Sequence, residues 1–572
     1  MMSCSDFLSE NRDVIKNIEA EMLVPVNMNP EWHFVFGKPV DGWMDSMQEG
    51  KIFRMQKNTF DFDRVLDKEV NPEDGLEGVV YQEFEAESEG IAEIGVGCDW
   101  WFSAYCNGKR CFSTWQSGNK EGQFAVDNNP FFIPVCQGKN LLAIRVKRGS
   151  GSWHFCCGVI PFTKIPLPIL QYGPFCNNPD IHKMGIRFMT CGKIGAGVKY
   201  RLKGADAWRM QWDQRHGQIL REEFHSIFLD GLESGKEYEY RVVMMDPRSP
   251  EMHVVSPEKK CFSFSVPPEK DENFSFFFTA DLQFPPKEHM KYLQAMLKAA
   301  DAKKCNMIVF GGDAFSSFLS EDIFRCTFKT LQTECKNTIP IVFLRGNHEL
   351  RGDHADQFLK YFGNDNGVSY GIFRFGETAF LVLDCWEDKP ADSPNADYCK
   401  YNLDEIFYDE ERKFLKQAVN SAVWKDAKRR IVLAHGAPYS QYDACETMPF
   451  VLQDLTDCYF AGKQPKSRLD LWLAGHSHHY TRSIPGTAIL AAPDHPDKPQ
   501  KDGTDYIYPV LTVGGPSETQ KIKASAFRVD STDEKLLIKA YDQDGKCFEE
   551  VAYFDDGRVN EIRSLPHRTF DE

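Results

Sequence analysis

Three histidines fall within four positions in LWLAGHSHHY, residues 471–480, directly after a short apolar run and a glycine. Imidazole is the side chain best suited to hold a divalent metal or to move a proton near neutral pH. In extended backbone, residues i and i+2 project to one side, so His476 and His478 can face a common point as two metal ligands, and His479 points away. Other apolar runs end in residues of the same chemical kind. NFSFFFTADLQ closes on Asp281 and Gln283, CNMIVFGGD on Asp313, IPIVFLRGNHE on Asn347 and His348, and RRIVLAHG on His435. Singly, each has a duller reading: Asp313 as a turn aspartate, Asn347 as a left-handed turn residue, His435 as a satisfied strand-end histidine. Jointly, carboxylate, amide and imidazole donors at five successive endings point to a divalent metal centre.

The elements that must position these groups are legible as well. Each run is short and rich in Val, Ile, Phe and Leu, which predicts a buried strand. Between the runs lie helical patterns at 288–303, at 320–336 with Ser320 as N-cap, and at 409–426. Sheets with intervening helices place ligand groups at the carboxyl ends of their strands.

In chain order the endings read Asp-x-Gln, Gly-Asp, Gly-Asn-His-Glu, His and Gly-His-x-His. This order resembles the calcineurin-like metallophosphoesterase superfamily over roughly residues 272–516. The resemblance implies two divalent metal ions, Mn2+, Fe2+, Zn2+ or Mg2+, bridged by Asp313. Asp281, Gln283 and His478 would complete one site, and Asn347, His435 and His476 the other. The implied reaction is hydrolysis of a small phosphate monoester or diester by in-line attack of a metal-bridging hydroxide. His348 would hydrogen-bond the phosphate and protonate the leaving group, with Glu349 or a carbonyl fixing its tautomer. Gln283 stands where the family usually has histidine. Its amide oxygen is a harder and weaker donor, which predicts a looser position tilted toward Mn2+ or Mg2+.

Arg345 and Arg351 flank this motif and could touch phosphate; such arginines more often pair with surface carboxylates, and both are left outside the predicted site. The position three residues after Asp313, where purple acid phosphatases carry an iron-ligating tyrosine, holds Ser316, so no purple chromophore is expected. GDAFSSF also lacks the Gly-Asp-x-Val-Asp-Arg-Gly of protein serine/threonine phosphatases. The Gly-Asn-His-Glu form and the upstream module lean toward the purple acid phosphatase branch.

That module contains Leu232, Gly235 and Tyr238 in FHSIFLDGLESGKEYEYRVVMMD. The spacing resembles the tyrosine corner of a fibronectin type III-like sandwich. Farther upstream, GVGCDWWFSAYCNGKRCFSTW alternates around Asn107-Gly108, a strong hairpin pattern. It resembles the galactose-binding-like jelly rolls of glycan-processing enzymes, in which Trp100, Trp101, Trp115 and Trp153 would stack on carbohydrate, although such aromatics more often fill cores. The expected fold is multidomain: a jelly-roll β-sandwich over 1–165, a linker at Pro166–Pro174, a fibronectin type III-like domain over 175–268, and an α/β (αββα sandwich) metallophosphoesterase domain over 272–572 with a C-terminal β extension.

Composition fits this layout. The chain has 572 residues, 42% of them hydrophobic, enough to fill several cores. A formal charge of -17 argues against a nucleic-acid surface and would repel polyanions unless metals focus the field locally, which favours small phosphate esters. No apolar run reaches membrane-spanning length. The start MMSCSDFLSENRDVIKN lacks a basic region and an apolar core, which predicts a cytoplasmic protein. Eighteen scattered cysteines then read as free thiols, with Cys106 and Cys111 placed to pair under oxidising conditions. Substrate choice is expected in the loops at 385–408 and 437–450. The competing function is a glycan-binding protein carrying a weakened phosphoesterase domain.

Overall fold

Alternate side chains of the strand Phe274–Thr279 serve two different cores. Phe274, Phe276 and Phe278 join Phe380, Ile431 and Leu473 in an inner layer, and Phe277 faces outward among Leu293, Met296 and Leu297 of the helix Lys287–Ala299. The same alternation holds in Met307–Phe310, where Met307 and Val309 point inward and Ile308 and Phe310 outward. Such strands are covered on both faces, which is why they read as continuous apolar runs.

The computed structural model describes residues 24–36, 51–55, 59–62, 76–115, 125–149, 153–160, 167–245, 254–255, 261–270, 273–284, 287–318, 331, 337–389, 401–437, 469–484, 488–491, 508–516 and 523–564. Two sheets face each other across the inner layer. In one, Phe274–Thr279, Met307–Phe310 and Ile341–Phe343 run parallel, and Ser525–Ser531 adds antiparallel beside the first and continues into hairpins that reach Arg563. In the other, Thr378–Leu383, Arg429–Ala434, Leu471–Ala474 and Val510–Thr512 are parallel neighbours. Outside this second sheet Leu415, Ala418 and Trp424, from Asp404–Ala418 and Ala422–Lys425, pack on Leu381, Val432 and Trp472. Helix, sheet, sheet and helix form the expected αββα order. The segment read as a helix at 320–336, with its N-cap Ser320, lies almost wholly outside the described residues.

Upstream, a seven-stranded and a four-stranded sheet enclose a core of Trp32, Phe34, Phe62, Phe102, Phe131 and Trp153. Asn107 and Gly108 both take positive φ (48° and 82°) in a two-residue turn between Trp101–Cys106 and Lys109–Ser113, as their types predict. Trp153 is a core residue and is not available to a sugar. Trp101 and Trp115 are half-buried, with Lys147 over both rings and Arg145 over Trp115. Cys106 and Cys111 are buried thiols, and no disulfide forms among the described residues.

Between these sheets and the αββα layers, residues 167–265 contribute a further set of strands. The hydroxyl of Tyr238 accepts the N–H of Glu233 (2.9 Å), closing the turn that precedes its strand. The stretch read as a linker is partly ordered β structure: Leu167–Asp180 is a strand paired with Lys183–Leu202. It also meets Ile341 at Asn177 in parallel, so the large sheet runs without a break from this module into the αββα layers. Lys183–Asp365 and Lys360–Glu222 ion pairs cross the same junction. Among the described residues no helix is long and apolar enough to cross a membrane.

Candidate metal centre

All five strand endings converge at the carboxyl edge of the two facing sheets. Asp281, Asp313 and Asn347 come from the first sheet and His435, His476 and His478 from the second. Their donor atoms form two groups, Asp313 with His435 and His476, and Asp281 and Asp313 with His478, and the atoms within each group lie within 4.8 Å of one another. Asp313 belongs to both. His476 and His478 therefore serve different points, and the extended-strand geometry that suggested a common one does not apply. Both lie beyond the strand end with positive φ, 68° and 57°.

Asp281, Gln283 and Asp313 share this left-handed backbone, at 54°, 44° and 50°. Non-glycine residues rarely adopt it, and clusters of such strain mark functional sites. The chain turns sharply as each strand ends, aiming its side chain back across the sheet edge. Glycines make the close approach possible: a Cβ on Gly346 would overlap Asp313 Oδ1, and one on Gly475 would overlap Asp281 Oδ2.

Each donor is also held from behind. The Nδ1–H of His435 donates to the Gly311 carbonyl (2.8 Å), which turns Nε2 toward the carboxylates. That Nε2 is fully buried and has no hydrogen-bond partner; it lies 3.3 Å from Asp313 Oδ2 and 3.8 Å from Asp281 Oδ1. Burial alone would lower the His435 pKa, but Asp313 and Asp281 outweigh it and raise it to about 10. Burial pushes the Asp281 carboxyl up to about 6, and His435 and His348 hold Asp313 well below its ordinary range despite the desolvation. An orphaned imidazole nitrogen facing two buried carboxylates is a donor set that fits a divalent cation. Asn347 Oδ1 lies 3.0 Å from His476 Nδ1, and its amide N–H donates to Asp388 Oδ1 (3.1 Å), which keeps the oxygen turned inward.

Gln283 reaches the same centre, its Nε2 lying 3.2 Å from His478 Nε2 and 3.5 Å from Asp313 Oδ2. Half a turn of the terminal amide would present its oxygen instead. Ser316 Oγ donates to the Gln283 carbonyl (2.8 Å) and so supports the backbone that carries this amide. Glu349 does not touch His348. It is buried, accepts N–H bonds from Asp313 and Gly346 (both 2.8 Å) and clamps the two loops together, its pKa pushed up to about 8 by burial and by Asp313.

His348 Nδ1 meets the Ser316 carbonyl at 2.7 Å, and Arg351 Nη1 lies 2.9 Å from its Nε2. The carbonyl only accepts and the guanidinium only donates, so this imidazole carries its proton on Nδ1 and is neutral. Burial lowers its pKa, with Arg351 adding to the effect and Asp313 opposing it. Arg351, left outside the predicted site, thus lies against His348. Its expected partnership with carboxylates holds, to Glu387 (3.0 and 2.6 Å) and Asp388 (2.5 Å), but the cluster lies at the centre and not on the surface. Arg345 keeps a supporting place, its Nε donating to buried Asp384 (2.6 Å) with its guanidinium over the Trp386 ring. Glu387 and Asp388 escaped the sequence reading although TAFLVLDCWED is one more apolar run closing on acidic residues.

His479 is buried and turned to the Ser477 carbonyl, away from the centre as expected. Of the substrate loops, 390–400 and 438–450 lie outside the described residues.

Residues 274–480 match the family model described as calcineurin-like phosphoesterase, so the chain carries the domain of a metal-dependent phosphoric ester hydrolase. Nothing among the curated proteins matches it. A purple acid phosphatase, PPD1, from seeds of yellow lupin (Lupinus luteus) is similar at 14% identity and a TM-score of 0.46, over 83% of this chain and 93% of that one. PhoD is similar at 11% identity and a TM-score of 0.45, over 70% and 94%. A dimetal phosphatase from Danio rerio is similar at 12% identity and a TM-score of 0.35, over 49% and 99%.

Proposed function

We propose that this chain hydrolyses phosphate monoesters or diesters at a binuclear metal centre. The observation that carries the reading is the pair of donor groups that meet on one buried carboxylate, Asp313. Asp313 would bridge, Asp281, Gln283 and His478 would hold one ion, and Asn347, His435 and His476 the other. When bound, two divalent ions neutralise phosphoryl oxygens and acidify a water molecule. The protein supplies the rest: left-handed turns that aim the ligands, the Gly311 carbonyl that fixes the His435 tautomer, and Asp388 that turns the Asn347 oxygen inward. Because oxygen donors dominate around Asp281 and Gln283, Mn2+ or Mg2+ suits that side better than Zn2+.

His348 stands beside this centre, with its Nε2 3.8 Å from Asp313 Oδ2, where it can meet the phosphate. To protonate a leaving group it must first take up a proton at Nε2. The division of the chain into 1–165, 175–268 and 272–572 belongs to the same proposal, with catalysis in the last part. The glycan-binding alternative is weaker, because Trp153 is interior and cationic side chains lie over Trp101 and Trp115. Turnover of p-nitrophenyl phosphate and its bis ester, abolished by EDTA and restored by Mn2+, is the expected result. Undiminished rates after complete metal removal would contradict it.

A further inference from the structure

Arg351 has five N–H groups, and the structure accounts for four of them. Its Nε–H goes to Glu387 Oε2, the two Nη2–H to Glu387 Oε1 and Asp388 Oδ1, and one Nη1–H to His348 Nε2. The second Nη1–H has no acceptor among the described residues. Surface arginines pair loosely and swing, but this one is only 13% exposed and is gripped by two carboxylates, so the direction of its remaining donor is fixed. It sits one side chain away from the Asp313 bridge, through His348. Asp388, which grips Arg351, also accepts from the ligand Asn347, so guanidinium and donor set are built on one carboxylate.

We propose that Arg351 binds the phosphoryl group of the substrate directly and makes the centre selective for monoesters. The inference rests on the phosphoesterase reading and narrows its substrate class. A monoester dianion carries three non-ester oxygens and a diester monoanion only two. A dinuclear centre takes up two charged oxygens. The third oxygen of a monoester is then left to the fixed Nη1–H, and in a diester that place is filled by an ester oxygen with little charge to offer. A charge-assisted hydrogen bond is thereby gained by one substrate class alone.

The test uses the full chain loaded with Mn2+ and the variants Arg351→Gln, Arg351→Lys and Glu387→Gln. It reads kcat/KM on p-nitrophenyl phosphate and on bis(p-nitrophenyl) phosphate, the Kd of inorganic orthophosphate by calorimetry, and metal content. A hydrogen bond to a charged group is worth enough that Arg351→Gln should weaken orthophosphate binding and monoester kcat/KM by roughly 10- to 100-fold. Metal content should be unchanged, and diester kcat/KM should fall by a clearly smaller factor than monoester kcat/KM, because both esters lose the Arg351 contact to His348 but only the monoester also loses a hydrogen bond to its phosphoryl group. Arg351→Lys should fall between, keeping charge but losing the fixed direction. Glu387→Gln, which loosens the grip without touching the guanidinium, should shift orthophosphate affinity the same way by a smaller factor, and it decides the matter if Arg351→Gln does not fold. Equal losses on both esters, unchanged orthophosphate affinity, or loss of metal would overturn the proposal, the last by making Arg351 a support of Asn347 through Asp388. A wild-type protein that binds metal but turns over neither ester would overturn the hydrolase reading. Orthophosphate affinity would still judge Arg351, supporting its role if the variants bind more weakly and refuting it if they do not.

Discussion

The two halves of the metal centre are built differently although they share Asp313. The half completed by Asn347, His435 and His476 combines one carboxylate with two imidazoles and an amide, and its Asp313, Asn347 and His435 are buried. The half completed by Asp281, Gln283 and His478 combines two carboxylates with one imidazole and an amide, and its Gln283 and His478 are half-exposed. Supporting partners differ too. His435 and Asn347 are turned by Gly311 and Asp388, whereas among the described residues the Gln283 amide meets only His478 and Asp313, donors of the same centre. On the proposed binuclear reading, this difference would leave one ion held and the other exchangeable, the exchangeable one on the oxygen-rich side open to solvent.

The shared residue should give the largest effect. Asp313→Ala should empty both halves and take ester hydrolysis to background, with metal content and rate falling together. If one ion stays bound tightly, the halves do not share a bridge. Next in size, His348→Ala should keep both ions and lower kcat by roughly 10² to 10⁴, the usual worth of general acid catalysis. An acidic phenol leaves with little help, so the loss should be smaller on p-nitrophenyl phosphate than on an alkyl phosphate. Equal losses would assign His348 to phosphate positioning, which also requires a proton on Nε2, since phosphate oxygens only accept.

A subtler change separates the halves. Gln283→His should tighten the exchangeable ion by about tenfold or more, an effect of the size expected for ligand substitutions, and should leave turnover intact. Unchanged metal affinity would remove Gln283 from the ligand set. The smallest effect is on pH dependence. Burial raises the Asp281 carboxyl to about 6, and Asp313 and Asp281 raise His435 to about 10 against its burial, so both sites hold protons more tightly than usual, and a ligand must shed its proton to bind. Metal affinity should therefore rise with pH, by roughly tenfold per unit for each proton displaced, and calorimetry in buffers of different ionisation enthalpy should show proton release. Flat affinity from pH 6 to pH 9 would contradict the His435 environment.

Local chemistry was legible in the sequence and long-range partnership was not. Asp281, Asp313, Asn347 and His435 announce themselves because a doubly covered strand must be apolar throughout, so a polar residue at its end stands out. The left-handed turns were not legible, since aspartate, glutamine and histidine carry no glycine-like marker; the reading of 476 and 478 as one extended pair failed for that reason. Arg351 escaped for another reason. Its partners lie 36 and 37 positions away, and burial, which separates a site arginine from a surface one, is a property of the packed sheets. The linker at 166–174 was misread because its prolines and glycine resemble a boundary, although Leu167–Asp180 pairs with Lys183–Leu202 through several register shifts.

In the proposed centre one carboxylate, Asp313, joins two metal positions, and the metal stoichiometry of the full chain tests this most directly. Protein equilibrated with Mn2+, freed of loose metal and read by elemental analysis beside its electron paramagnetic resonance spectrum, should hold about two ions per chain with the coupled signal of a bridged pair. A single uncoupled ion per chain would contradict the account.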